Sequence, residues 1–397
     1  MLTFDMIHSA GQILRDIARK TDMILAPGLA VGCELRLKTE NLQRTGAFKI
    51  RGAYYKMASL SDGERAKGVV ACSAGNHAQG VAFAAQQFGI TATIFIPAAA
   101  PISKIEATRQ YGVDIRLSDG AYDDAYTDAA AFAEETGAVF IHPFDDESVI
   151  AGQATVGIEI MDQFPDVEAV VVPVGGGGLV SGVSFAVKSL NPKCKVYGVQ
   201  SAGADCMARS FHTREPYCLK NVSTFADGIA VKVPGVLTRE LCDKYVDDIV
   251  TVSDDETATA ILSMMEKQKL VSEGAGAVAV AAVMFDKLPL KGKKTCAVVS
   301  GGNIDVNILS RVINRGLLKA GRLTNLEIEL IDKPGQLMAV STIIAEEGAN
   351  VISVRYTPGG EDMDINGCFL NISMETKNRA HLEHIKKALV CAGFKMC

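Results

Sequence analysis

The stretch Val69-Val70-Ala71-Cys72-Ser73-Ala74-Gly75-Asn76-His77 decides how this chain folds. Val69–Ser73 reads as a short buried strand, the small residues after it as a turn, and Gly75–Gln87 as the helix that follows. The alternation repeats downstream. Thr93–Ile96 and Asp114–Leu117 read as strands, and Ser103–Tyr111 and Ala121–Thr136 as helices. Strands separated by helices run parallel, joined by right-handed crossovers. Farther on, Ala169–Val174, Lys195–Val199 and Thr295–Val299 are each an apolar run leading into a turn and a helix. Their near-continuous apolar character suits a sheet covered on both faces. The expectation is an α/β architecture of two lobes with a cleft between them.

The rest of the composition narrows the class. The 397 residues predict two to three domains. With 48% hydrophobic and 22% charged residues, the chain reads as an ordinary soluble globular protein with several sizeable cores. A net charge of −6 argues against nucleic acid or an anionic membrane surface as partner. Asp5, Arg15 and Asp16 interrupt the first turns, which predicts no signal peptide. The longest apolar run, Gly274–Phe285, is too short to span a bilayer and reads as a buried helix. Ten scattered cysteines without a CxxC pair predict free thiols in a reducing cytosol, hence a cytoplasmic protein. His381 and His384 have a metal-compatible spacing but read as surface residues of an amphipathic helix.

After Leu323 the rhythm changes. Leu326–Ile331 reads as a strand, Asp332-Lys333-Pro334-Gly335 as a turn, and Gln336–Glu347 as a helix with Leu337, Val340, Ile343 and Ile344 on one face. Strands Val351–Tyr356 and Cys368–Met374 flank a Gly/Asp-rich loop. A second helix, Arg379–Ala392, carries Leu382, Ile385 and Leu389 before Gly393, and a short strand closes the chain. This βαββαβ order is a ferredoxin-like unit. With Asp-Lys-Pro-Gly at its first turn it resembles an ACT domain, a small ligand-sensing module. Arg315–Arg322, with three cations and two glycines, reads as the linker, so the expected domains are 1–320 and 323–397.

Four clusters in the first domain carry chemistry. Lys49 sits in Thr45-Gly46-Ala47-Phe48-Lys49-Ile50-Arg51-Gly52; Ser73–His77 follows a strand; Gly175, Gly176, Gly177 and Gly178 separate a strand from a helix that begins at Leu179; and Ser300-Gly301-Gly302-Asn303 closes the last strand. Each has an ordinary reading alone: a solvated lysine, a helix N-cap at Ser73, a flexible turn, a Gly-Gly turn. Together they supply an amine for a Schiff base, a polar turn, an anion-binding loop and a hydroxyl at the far end. That set is what a pyridoxal phosphate (PLP) site requires. Phe48 and Ile50 give apolar flanks and Arg51 a neighbouring cation, a setting that lowers an amine's pKa. Consecutive glycines at a helix N-terminus turn N–H groups toward an anion. No GxGxxG with a downstream ribose-binding acid is evident, so a lone phosphate fits better than a dinucleotide.

In this order the motifs resemble the fold-type-II PLP enzymes, which share the tryptophan synthase β-like fold, and most closely their threonine dehydratases, over about residues 5–315. The resemblance implies a smaller lobe at roughly 46–144. It also implies that Lys49 and Phe48 meet the cofactor, that Asn76 faces its 3′-oxygen, that Gly175–Gly178 and Leu179 hold its phosphate, and that Ser300 meets the pyridine nitrogen. Ser73, Ala74 and His77, with the amides between them, would hold the substrate carboxylate. Ala226-Asp227-Gly228 and Ser272-Glu273-Gly274-Ala275 match motifs that line such sites, though both also read as turns. A nucleotide effector site at a subunit interface in short catabolic relatives matches Arg44, Thr45 and Gln79.

Two departures separate the chain from the serine racemases. Their acid–base serine falls at Ala74, and their divalent-cation ligands at Gln200 and Cys206, which are poor ligands for a hard cation. No metal site is expected. His142-Pro143-Phe144-Asp145-Asp146 also has the threonine-dehydratase form. The implied reaction converts L-threonine to 2-oxobutanoate and ammonia, with L-serine giving pyruvate. Lys49 is released from the cofactor aldehyde, removes the α-proton, and the β-hydroxyl leaves. Rival readings are a serine dehydratase or racemase of the same fold and a non-catalytic amino-acid sensor. The expected partners are threonine or serine, an amino-acid or nucleotide effector, and further copies of the chain in a dimer or tetramer. Biosynthesis of isoleucine and catabolism of threonine both stay open.

Overall fold

The computed structural model describes residues 1–30, 32–358 and 365–396. It divides into two compact units, Met1–Val306 and Asn307–Cys397. In the first unit the strands are β1 (Met23–Leu25), β2 (Glu34–Lys38), β3 (Val69–Cys72), β4 (Ala92–Pro97), β5 (Asp114–Ser118), β6 (Val139–Phe140), β7 (Ala169–Pro173), β8 (Lys195–Ser201), β9 (Asp248–Val252) and β10 (Lys294–Val298). They form two sheets, β1-β2-β10-β7-β8-β9 and β5-β4-β3-β6. Every pairing is parallel except β1 with β2. The two-lobed α/β expectation is met.

Burial explains the apolar runs. All five residues of β7 are buried, and so is every residue from Gly274 to Val283 in the helix Gly274–Met284. Each valine withdrawn from water there contributes about 1.5–3 kcal/mol. Such segments carry no amphipathic stripe because nothing solvent-facing is left to select polar residues. The turns at the carboxyl ends of β3, β7 and β10 hold Ser73–Gly75, the glycine run and Ser300, the edge where open α/β sheets bind ligands. An isolated bridge from Ala47 to Gly301 brings the Lys49 segment to the same place.

The second unit has β11 (Leu323–Ile331), β12 (Asn350–Pro358), β13 (Gly367–Glu375) and β14 (Lys395–Met396) in the order β12-β13-β11-β14. Its core pairs Leu326 with Ile372 and Ile328 with Leu370 across the sheet. Val340 and Ile344 of the helix Gln336–Glu346, and Leu382, Ile385 and Leu389 of the helix Arg379–Cys391, cover that face. Leu337, expected on the stripe, is exposed instead. The expected linker also needs correction. A helix runs over Val306–Lys319, taking in Arg315 and Gly316. Apolar residues at 308, 309, 312, 313, 317 and 318 recur at helical spacing and outweigh the roughly 1 kcal/mol helix penalty of one glycine. The Gly/Asp-rich loop at 359–364 and Cys397 lie outside the described residues. His381 and His384 both turn to Glu347, one to its carbonyl at 2.7 Å and one to its carboxylate at 3.2 Å.

Candidate active site

A cavity of about 750 Å³ opens in the first unit. Phe48, Lys49, Ser73, Ala74, Asn76, His77, Gly175–Gly178, Leu179 and Ser300 all line it, so the sequence-predicted set converges. Gln79 lines it as well. Thr45 is buried nearby, with its carbonyl accepting from Asn303 Nδ2 at 2.8 Å, and Arg44 is exposed, donating to the Asp16 carbonyl. Neither of these two reaches the cavity wall.

Lys49 opens the helix Lys49–Ala58, and its Nζ donates to the Pro143 carbonyl at 2.6 Å. The residue is half-buried and lines the cavity. Burial lowers its pKa to about 8, against an opposing pull from Glu273. Arg51, expected to act on this amine, does not. It lies 1% exposed in a separate cluster, bonded twice to Glu40 at 2.8 Å and to Glu159 at 2.7 and 3.0 Å. Two residues along a helix turn the side chain by about 200°, which carries Arg51 to the opposite face.

At the β3 turn, Gly75 N donates to Ser73 Oγ at 3.1 Å, while the N–H groups of Ala74, Asn76 and His77 have no acceptor among the described residues. They stand at the start of the helix Asn76–Phe88, a ready anion site. The His77 side chain turns away. Burial, then Lys49, lowers its pKa to about 3, so the neutral ring donates through Nε2 to the Ile141 carbonyl at 2.8 Å. Asn76 is clamped from two sides: Oδ1 accepts from Asn303 Nδ2 at 2.8 Å, and Nδ2 donates to Glu273 Oε1 at 2.6 Å.

Glu273 is the residue sequence reasoning undervalued. It is 4% exposed at the N-cap of the buried helix Gly274–Met284, and burial, then Asp227, raises its pKa to about 7. Its signal was a carboxylate leading directly into an all-apolar run. Pro143 and Phe144 were noted only as part of a motif, yet one holds Lys49 and the other closes over the glycines. A Cβ at Gly176 would run into the Phe144 ring, and one at Gly177 into Met207 and Thr238. Gly177 also has φ of 100°, which other residues rarely adopt. Ser300 Oγ donates to the Ala275 carbonyl at 3.4 Å. Gln200 is committed to protein, accepting from Ala208 N at 2.8 Å, and Cys206 Sγ contacts the Val231 carbonyl at 3.2 Å. No cluster of three metal-ligating side chains occurs among the described residues.

The family model described as pyridoxal-phosphate dependent enzyme matches residues 14–301. The chain belongs to that family. An ACT domain model matches residues 320–390. A Thermotoga maritima protein named L-threonine ammonia-lyase is 50% identical over 398 residues, covering 100% of this chain and 99% of the relative. Maize serine racemase superposes with a TM-score of 0.75 at 35% identity, covering 80% of this chain and 98% of that one. The processed form of threonine deaminase isoform 2 from Solanum lycopersicum gives 0.74 at 38%, covering 79% and 94%.

The residues present fit the family's cofactor. Gly175, Gly176 and Gly177 offer N–H groups with no acceptor among the described residues, at the N-terminus of the helix Gly178–Leu190. Side chains are sterically barred there, which leaves the backbone free for a phosphate. Lys49, whose pKa of about 8 leaves part of it neutral near pH 7, is the amine that lines the same cavity beside that loop.

Proposed function

We propose that this chain is a PLP-dependent threonine ammonia-lyase, releasing 2-oxobutanoate and ammonia from L-threonine and acting on L-serine as a side substrate. The observation that carries the reading is the convergence of an amine with a lowered pKa and a loop of unsatisfied amides on one cavity, in a chain 50% identical end to end to a protein of that name. Bound PLP supplies an electron sink that makes the substrate α-proton removable.

The chain's own residues do the rest. Ser73 and the free amides of Ala74, Asn76 and His77 take the substrate carboxylate, helped by the partial positive end of the helix Asn76–Phe88. Lys49 anchors the cofactor, then accepts the α-proton at Nζ; an amine titrating near 8 suits a general base at neutral pH. Asn76, fixed between Asn303 and Glu273 on the cavity wall, would have one amide hydrogen left to offer the cofactor's 3′-oxygen. Ser300, on the cavity wall, would offer a neutral partner to the pyridine nitrogen, which would favour elimination over transamination. Phe144, packed over Gly176, and Leu179 line the cavity beside the glycine loop and would shield a phosphate held there from water. Ala74 has no hydroxyl to return a proton from the opposite face, which disfavours the serine racemase reading despite the maize neighbour.

In the same reading the catalytic portion extends to about residue 320, with its smaller lobe at roughly 46–144, and the ACT module from 323 senses an amino acid, isoleucine or valine first. Exposed Ile352, Val354 and Tyr356 on the edge strand β12 favour pairing between copies, and so a homo-oligomer. Arg44, Thr45 and Gln79 stay candidates for a nucleotide effector. Free cysteines among the described residues fit the cytoplasm. The test is a panel of L-threonine, L-serine and D-serine with purified holoenzyme, following 2-oxo acid, ammonia and chirality, with and without branched-chain amino acids. Equimolar 2-oxobutanoate and ammonia from L-threonine supports the proposal; racemisation as the main reaction, or no turnover, contradicts it.

A further inference from the structure

The carbonyls of the glycine loop are gripped from behind. Gly175 O accepts from Gln200 Nε2 at 3.4 Å, and Gly177 O accepts from Ser181 N at 2.9 Å. Between them, Gly176 O accepts from Thr238 Oγ1 at 2.6 Å and from Gly235 N at 3.3 Å. In a trans peptide the carbonyl and the next residue's N–H point in opposite directions. A donor that pulls the Gly176 carbonyl away from the cavity therefore turns the Gly177 N–H toward it. That N–H has no acceptor among the described residues, and Gly177 lines the cavity.

Thr238 has no freedom to let go. It is wholly buried in the first turn of the helix Val236–Tyr245. Its backbone N–H donates to Asp145 Oδ1 at 3.1 Å, and Asp145 Oδ2 takes Val236 N at 3.0 Å. Its carbonyl accepts from Ser181 Oγ at 3.0 Å. Asp145 is two residues from Pro143, which holds Lys49. The strand-to-helix segment behind Lys49 and the loop beside it are thus tied through one helix turn. A valine would fill the same volume; only the hydroxyl explains the grip.

We infer that Thr238 is a positioning residue for cofactor capture: its hydroxyl holds the Gly176 carbonyl outward so that the Gly177 N–H is aimed at the cofactor phosphate. Gln200 does the same for the Gly176 N–H through a longer bond. The inference rests on the reading that the glycine loop takes the phosphate of PLP. A threonine that merely filled space would leave cofactor retention untouched when its shape is kept.

The experiment uses full-length holoenzyme with Thr238→Val, Thr238→Ser and Thr238→Ala. PLP release is followed by loss of its absorbance after dilution into cofactor-free buffer, and the bound phosphate by phosphorus NMR. Thr238→Val should release PLP about tenfold faster and shift the phosphorus resonance, the effect of one well-aligned buried hydrogen bond. Thr238→Ser, which keeps the donor, should stay within about twofold of wild type. Should the valine variant not fold, Thr238→Ala carries the same expectation. Wild-type release and an unmoved resonance in the valine or alanine variant, or fast release from the serine variant, would overturn the inference. A wild-type protein that binds no PLP would contradict the proposed function instead.

Discussion

Lys49 and Arg51 leave one helix two residues apart, and their surroundings are opposites. Lys49 faces a cavity with one carbonyl, Pro143, to hold its amine. Arg51 is enclosed by Glu40 and Glu159, Thr155 and the Arg19 carbonyl, while Lys38 shares Glu159 at 2.5 Å. A buried charge without partners gives up its proton; a buried charge with surplus partners cannot. The helix therefore carries a reactive amine on one face and a fixed ion cluster on the other. Neutralised by its carboxylates, Arg51 leaves the lowered pKa of Lys49 to burial alone.

The strongest way to break this contrast is at the reactive face. Lys49→Ala should lower threonine turnover by more than about 10⁴-fold, since both anchor and base are lost, while the thermal midpoint of the cofactor-free protein stays at or above wild type. Residual turnover above a trace would show another base at work. On the opposite face, Arg51→Met should destabilise the protein by about 3–5 kcal/mol in urea melts, because Glu40 is left buried without its salt-bridge partner and Glu159 keeps only Lys38. The surviving folded enzyme should keep kcat within a few-fold. Loss of kcat with little loss of stability would return Arg51 to the site.

Titration sharpens the same contrast with smaller effects. Only the neutral amine attacks the PLP aldehyde, so capture of PLP by cofactor-free protein should accelerate with pH around a midpoint of about 8. A midpoint near 10 would mean that Lys49 is not desolvated. For Glu40, burial alone would raise the pKa, but Arg51 prevails and holds it below the usual 4.5. A depressed carboxylate contributes stability that is fully present above its unfolded value and lost as pH falls through its folded one. Thermal midpoints should therefore fall with acid below about pH 4.5, and Arg51→Met should flatten that dependence. An unchanged acid slope in the variant counts against the cluster. The smallest effect expected is from Ala74→Ser, which places a hydroxyl on the cavity wall at the β3 turn. Detectable racemisation of serine beside intact elimination from L-threonine should appear by chiral chromatography; its absence would mean that position 74 does not set the outcome.

What the sequence made legible were features with local signatures. Parallel strands announced themselves as apolar runs, and the glycine loop, Lys49 and Ser300 by residue types that few structural roles explain together. What it hid were partnerships across long separations. Glu34-Leu35-Arg36-Leu37-Lys38 alternates as a strand should, but nothing local says that Lys38 is buried against Glu159. Arg51 beside Lys49 in sequence suggested an electrostatic neighbour, and only the helix geometry separates them. Thr238 lies between a glycine and an arginine-containing turn with no motif around it, and its role exists only through Asp145 and Gly176. The helix over Val306–Lys319 was masked by a glycine and three cations whose apolar neighbours decide the matter.

The most direct test of the whole reading locates the cofactor. Full-length holoenzyme is treated with borohydride to fix PLP to its lysine, digested, and mapped by mass spectrometry. The pyridoxyl group should lie on the peptide containing Lys49 and nowhere else, in an amount matching the lost threonine turnover. Modification of a different lysine, or none at all in an enzyme that still turns over threonine, would contradict it.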